Sequence, residues 1–299
     1  REHHKRDFQP IFCGRTDGDL TCAAETHYMI EAIKPAYVIN LAANVGGILY
    51  NENHPVDLIQ DNTLIGMNVA SACSKYGVEK LVQVGTVCMY PHKTPVPFKE
   101  EYLMQYGDMT ESNSYYGMAK LQNMKLLQAY FKEGGLNSTF LLPANMVGKY
   151  DDFSLVDSHV VPAMIAKIHT ATQKDNMKVA VWGNGQQSRE FLPVKNFCQA
   201  CVKSLQDIGF GPYNIGTGAS TTIKDLCYAL KDIMGYNGQF EFCAEALVGQ
   251  QERQLDISKA QEWGYEPTQC LMDCLEETVE WHKMQTEKNY IWDQLCGLT

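Results

Sequence analysis

The chain has 299 residues, 45% hydrophobic and 20% charged, an ordinary globular balance with room for one large domain or two unequal ones. Its formal net charge of −10 argues against a general binder of nucleic acid or of membrane surfaces, and no apolar run approaches the roughly 20 residues of a membrane span. Eleven cysteines, an odd number without small-domain spacing, point to reduced thiols in a cytoplasmic setting and not to a disulfide framework.

The opening "REHHKRDFQP" begins with Arg1 and lacks the apolar centre of a signal peptide. "PIFCG" (10–14) reads as the end of a short strand, and "AYVINLA" (36–42) as a buried one. Residues 55–77 predict a helix, with apolar residues at three- and four-residue spacing and a stop at Gly77. A strand follows at 79–86. A second helix at 112–135 is entered through Ser and Asn and closed by a glycine pair, and "STFLLPA" (138–144) is the next strand. Short strands alternating with longer helices are the mark of βαβ units and a doubly wound parallel sheet.

The second half mixes short strands ("KVAVWG", "QFEFC") with helices. "KNFCQACVKSL" reads as an amphipathic helix; its C-x-x-C lacks a second Cys/His pair at metal spacing, so no metal site is expected. "YNIGTG" (213–218) reads as a strand and turn returning to the main sheet, and "CLMDCLEETVEWHKMQ" as a closing amphipathic helix. "NST" at Asn137 is treated as a chance glycosylation match.

Three strands end in unusual sequences: "LAANVGG", "GTVCMYP" and "PANMVG". Open parallel sheets bind ligands outside the carboxyl ends of their strands, so all three fall on one edge. Cys88 by itself is as well explained as a small buried hydrophobe; its place on that edge favours a site. Tyr116 and Lys120 form Y-x-x-x-K and share a helix face. A neighbouring cation is expected to lower the phenol's pKa and make it a proton donor or acceptor near neutral pH. Alone, the pair could be a solvated helix face. With the hydroxyl of Thr86 about 30 residues upstream, it becomes equipment for reducing a ketone with a nicotinamide hydride.

Together with "HVVPAMI", "VWGNGQQSREFLPV" and "ERQLDISKAQEWGYEP", these segments resemble the extended short-chain dehydrogenase/reductase family and, within it, the GDP-L-fucose synthases, from about Asp17 to Trp281. The resemblance implies an NADPH-dependent epimerase-reductase that converts GDP-4-keto-6-deoxy-D-mannose to GDP-L-fucose. Cys88 and His159 would exchange the protons at C3 and C5, and Tyr116 would protonate the reduced oxygen, supported by Thr86 and Lys120. The implied cofactor-binding residues are Arg15, Asp19, Leu41, Ala42, Ala43, Tyr116, Lys120, Pro143 and Asn145. Those for the GDP-linked substrate are Asn145, His159, Lys167, Trp182, Arg189 and Arg253. Arg15, with no acid in the expected place, favours NADPH over NADH.

The same resemblance implies a Rossmann-type domain at 1–158 and 191–218 and a smaller mixed α/β substrate domain at 159–190 and 219–299. It also implies a cytoplasmic homodimer, paired through the helices at 55–77 and 113–133. Thr86 stands where the family usually carries Ser, and Asn44 stands at a position often filled by Lys or Met. The family's G-x-x-G-x-x-G turn is not found, since no glycine precedes Gly14. The expectation is an incomplete N-terminus, with the first strand and that turn in a preceding segment of roughly 30–45 residues. Two enzyme alternatives stay open: a GDP-mannose 3,5-epimerase type, which usually has Lys at the place of His159, and a UDP-sugar 4,6-dehydratase, which usually has acidic residues at the places of Val87 and Cys88. A catalytically silent binding protein on the same scaffold is the alternative of another class.

Overall fold

A computed structural model describes residues 9–105, 107–109, 111–155, 158–173, 178–206, 208–244 and 250–296. The first half of the chain forms α1 (Ala23–Ile33), β1 (Tyr37–Asn40), α2 (Ile48–Asn53), α3 (Pro55–Lys75), β2 (Lys80–Val84), α4 (Glu111–Lys132), β3 (Ser138–Pro143) and β4 (Asn145–Val147). The second half adds α5 (Val160–Gln173), β5 (Lys178–Trp182), β6 (Ser188–Arg189), β7 (Phe191–Pro193), α6 (Val194–Lys203), β8 (Tyr213–Ile215), β9 (Thr221–Thr222) and α7 (Ile223–Met234). It closes with β10 (Gln239–Cys243), β11 (Glu252–Arg253), α8 (Ser258–Glu262) and α9 (Leu271–Cys296).

Strands β1, β2, β3 and β8 form one parallel sheet in that order, with helices in the connections. Every residue of β2 and β3 is buried, Lys80, Gln83, Ser138 and Thr139 included, as suits strands covered on both faces. The segment expected to return to the main sheet does so as β8, beside β3. Three small ladders complete the architecture: β5 with β10, β4 with β7, and β6 between a parallel β11 and an antiparallel β9. One apolar core surrounds Leu81, Met89, Phe140 and Leu141 and takes in Leu255 and Tyr265. A second gathers Ile165, Ile168, Val181, Leu226 and Leu275.

Two strand expectations need correction. The strand at 36–42 is shorter and less covered than its composition suggests: Tyr37, Val38 and Ile39 are half-buried and Asn40 alone is buried. Among the described residues β1 has a ladder partner on one side only, β2, so side chains fit for a sheet interior sit at an edge. Residues 10–14 form no strand; Ile11 and Phe12 are 66% and 90% exposed. Without a neighbouring strand, β propensity alone does not hold a ladder.

Helices α3 and α4 lie against each other. At Gly66 a side chain would collide with the amide of Asn123, whose Nδ2 donates to the Asn62 carbonyl at 2.7 Å. The ten cysteines whose side chains are described are all unpaired, and no described helix is long and apolar enough to cross a membrane.

Candidate active site

β2 runs into Gly85, where a Cβ would press on Phe140, Leu142 and Met89. Thr86 then takes extended backbone angles, and its Oγ1 accepts from the Cys88 amide at 3.2 Å. This caps a single 3-10 turn, Val87–Met89. The turn buries Val87 and Met89 and leaves Cys88 half-buried between them. The hydroxyl two residues before the thiol is therefore what shapes the turn that presents it.

Helix α4 brings the phenol and the ammonium. Gly117 lets it come close: a Cβ there would stand 2.5 Å from the Cys88 carbonyl oxygen. Tyr116 and Lys120 are 7% and 2% exposed. Lys120 Nζ lies 5.7 Å from the centroid of the Tyr116 ring and donates to the Ala42 carbonyl at 3.4 Å, linking the helix to the end of β1. The expected lowering of the phenol's pKa is not found. Burial, with a smaller contribution from Cys88, holds Tyr116 well above its ordinary value. Burial also draws Lys120 down to about 8. Taking a charge out of water penalises the charged form of either group, and here that outweighs their mutual support. Tyr116 is thus kept protonated.

The β6–β11 ladder sets Arg189 beside Arg253. Arg253, 6% exposed, donates from Nη1 to Cys88 Sγ at 3.7 Å and from Nε to Gln250 Oε1 at 2.7 Å. Arg189 donates from Nη1 to the Ser188 carbonyl at 2.7 Å; burial first, then the neighbouring Arg253, pulls it down to about 10. Like charges side by side, Arg253 buried and Arg189 half-buried, repel, and an anion placed between them would relieve that repulsion.

Glu190, between β6 and β7, faces elsewhere. Its carboxylate accepts from the Thr217, Gly218 and Leu255 amides at 2.5, 2.8 and 2.6 Å, which offset part of the rise that burial imposes on it. The Glu190 carbonyl accepts from both Asn145 N and Asn145 Nδ2, at 3.1 and 3.0 Å. Asn145 is thereby tied to the arginine strand, and Pro143 ends β3 just before it.

Thr86, Cys88, Tyr116, Lys120, Ala42, Arg189 and Arg253 are brought together by these contacts. The remaining expected site residues make theirs elsewhere. His159 is exposed at the start of α5, its Nδ1 3.9 Å from Asp151 Oδ1. Lys167 Nζ lies 5.6 Å from the centroid of the Trp182 ring and donates to the Ala180 carbonyl at 3.3 Å, so these two pair with each other. Leu41 is 63% exposed, and Ala42 and Ala43 are half-buried. Arg15 is exposed, and Asp19 Oδ1 accepts from both the amide and the hydroxyl of Thr21 at 2.8 Å, bonds that hold its carboxyl below the usual range. Sequence reasoning missed Glu190 and Gln250. Glu190, an acid beside the apolar run "FLPV", carries a signal; Gln250, within "GQQERQ", carries none.

The family model described as "NAD dependent epimerase/dehydratase family" matches residues 2–216. GDP-L-fucose synthase 1 of Arabidopsis thaliana is 35% identical over 265 residues, which cover 88% of this chain and 82% of that protein. Among solved structures, the fold is similar to a GDP-6-OMe-4-keto-L-xylo-heptose reductase from Campylobacter jejuni, with a TM-score of 0.86, 27% identity and coverage of 92% and 90% of the two chains. It is also similar to a GDP-L-fucose synthetase from Naegleria fowleri bound to NADP, with a TM-score of 0.82, 25% identity and coverage of 93% and 86%.

Proposed function

The chain belongs to the NAD dependent epimerase/dehydratase family, and from that premise we propose that it is an NADPH-dependent epimerase-reductase converting GDP-4-keto-6-deoxy-D-mannose to GDP-L-fucose. The observation that carries this reading is the thiol of Cys88, 3.7 Å from the Arg253 guanidinium on a turn packed against the helix that carries the buried phenol of Tyr116. A phenol and a thiol serving one ketone sugar suit a reaction that both moves protons beside a carbonyl and reduces it.

The 4-keto group acidifies the protons at C3 and C5. Cys88 and His159 exchange them from opposite faces, and the Thr86 hydroxyl holds the carbonyl. Tyr116, kept protonated by burial, gives its proton to the oxygen at C4. NADPH, when bound, supplies the hydride. Arg15, Asp19, Leu41, Ala42, Ala43, Tyr116, Lys120, Pro143 and Asn145 are the residues that would hold it. The small side chains of Ala42 and Ala43 at the open end of β1, with Lys120 reaching that edge, fit a flat ring lying there. Arg189 and Arg253 take the diphosphate of the substrate, with Lys167 and Trp182 at the periphery. We divide the chain into a cofactor domain (1–158 and 191–218) and a substrate domain (159–190 and 219–299); the two apolar cores support two units, with Leu255 and Tyr265 crossing into the first core and Val147 and Phe191 into the second. The protein acts as a cytoplasmic homodimer, paired through α3 and α4.

The test is Cys88→Ser. Deuterium wash-in from solvent at C3 and C5 should fall at least about 100-fold, with NADPH binding unchanged. Equal losses in both would make Cys88 a structural residue and remove the epimerase half of the reading.

A further inference from the structure

We propose that Gln250 is a positioning residue: it fixes the Arg253 guanidinium against the Cys88 sulfur, so that the cation acts on the thiol before any substrate arrives. Gln250 is 4% exposed and uses both ends of its amide. Oε1 accepts from Arg253 Nε at 2.7 Å. Nε2 donates to the His92 carbonyl at 2.7 Å and the Pro91 carbonyl at 3.2 Å. Pro91 and His92 lie three and four residues beyond Cys88, just past the turn that carries it. One buried amide therefore ties the loop that carries the thiol to the strand that carries the cation.

The guanidinium is planar, so fixing Nε fixes the direction of the rest. With Nε on Gln250, Nη1 points at Cys88 Sγ, 3.7 Å away. A lysine has one charged tip and cannot satisfy both contacts from one rigid plane. The charged and titratable groups facing the sulfur are Arg253 from β11, Arg189 from β6 and Tyr116 from α4. Two are cations and one is a neutral phenol, so negative charge placed on the sulfur meets two positive partners. The use of the sulfur in epimerisation rests on the reading given above; the clamp itself does not.

The experiment is alkylation of the full chain by iodoacetamide, followed at Cys88 by peptide mass spectrometry. The rate at pH 7 is expressed as a fraction of the rate at pH 10, which cancels changes in access. Gln250→Leu should lower that fraction about 3- to 10-fold, the loss of part of one close charge interaction. Arg253→Lys should lower it similarly. Cys13, Cys198 and Cys243, all exposed, should react as in the parent protein, and Cys73, buried, should stay protected. If Gln250→Leu exposes Cys73, Gln250→Met, which keeps the bulk of the side chain, and Arg253→Lys decide in its place. An unchanged fraction with Cys73 protected overturns the proposal. Normal deuterium wash-in by Cys88→Ser would instead overturn the epimerase reading and leave the alkylation result standing.

Discussion

The ammonium of Lys120 lies 5.7 Å from the centre of the Tyr116 ring, and both side chains are buried one helical turn apart. Burial dominates both, so the phenol stays protonated and the ammonium is held in a place that disfavours its charge.

Tyr116→Phe removes the donor and keeps the packing. Reduction, followed as NADPH oxidation, should slow by about 10²- to 10⁴-fold, the usual range for a lost general acid. Deuterium wash-in at C3 and C5 should persist. If both halves of the reaction disappear together, Tyr116 does more than protonate the oxygen.

Lys120→Met should stabilise the fold at neutral pH. The folded pKa of Lys120 is about 8 against 10.5 for a free lysine, so between these values the unfolded chain binds the extra proton. Stability therefore rises with pH across that window, and the charged lysine is a burden below it. The burden is on the order of 3 kcal/mol at pH 7. Urea unfolding should show a higher midpoint for the Met variant at pH 7 and a narrower gap near pH 10. A variant less stable than the parent at pH 7 would show that the bond to the Ala42 carbonyl outweighs desolvation.

Gly117→Ala should injure both the fold and the site. The added methyl would sit 2.5 Å from the Cys88 carbonyl and 2.6 Å from Met109 Sδ. Overpacking of this kind costs about 1–3 kcal/mol. Calorimetry should show a lower Tm, and alkylation of Cys88 should change where that of Cys198 does not. Parent-like behaviour in both would mean that α4 and the Cys88 turn separate at little cost.

His282 on α9 is 7% exposed, its ring 4.7 Å from that of Phe153 and 5.2 Å from that of His169. Burial first, and His169 second, draw it down to about 4. Its contribution is fully present above pH 6.5, the value for an ordinary histidine, and is lost as pH falls from 6.5 towards 4. His282→Phe keeps the ring and removes the titration. Its Tm should drop less than the parent's between pH 7 and pH 5; parallel curves would place the acid sensitivity elsewhere.

What could be read from the sequence was local. The Tyr116–Lys120 spacing needs only a helix, and Thr86 and Cys88 need only a strand that ends. The direction of the phenol's shift needs to know what covers it, and spacing does not say. Gln250 reaches Pro91 across 159 residues, so no window of sequence could pair them. Resemblance alone places Lys167 and Trp182 with the arginines, and the contact between the two belongs to the fold, since they stand on different elements. In β1, "YVI" has the composition of a covered strand, and whether a neighbour covers it is a property of the sheet and not of the strand.

Tyr116, Lys120 and Asn123 stand at positions i, i+4 and i+7 of α4, one stripe of a single rod. Asn123 seats that rod on α3 at the only kind of residue that admits it, Gly66. The reach of the phenol is thus graduated from a helix–helix seam two turns away. In the proposed reaction, sliding that seam would retune the distance between the Tyr116 phenol and the sugar without altering any group proposed to meet the substrate, which makes position 66 a calibration point.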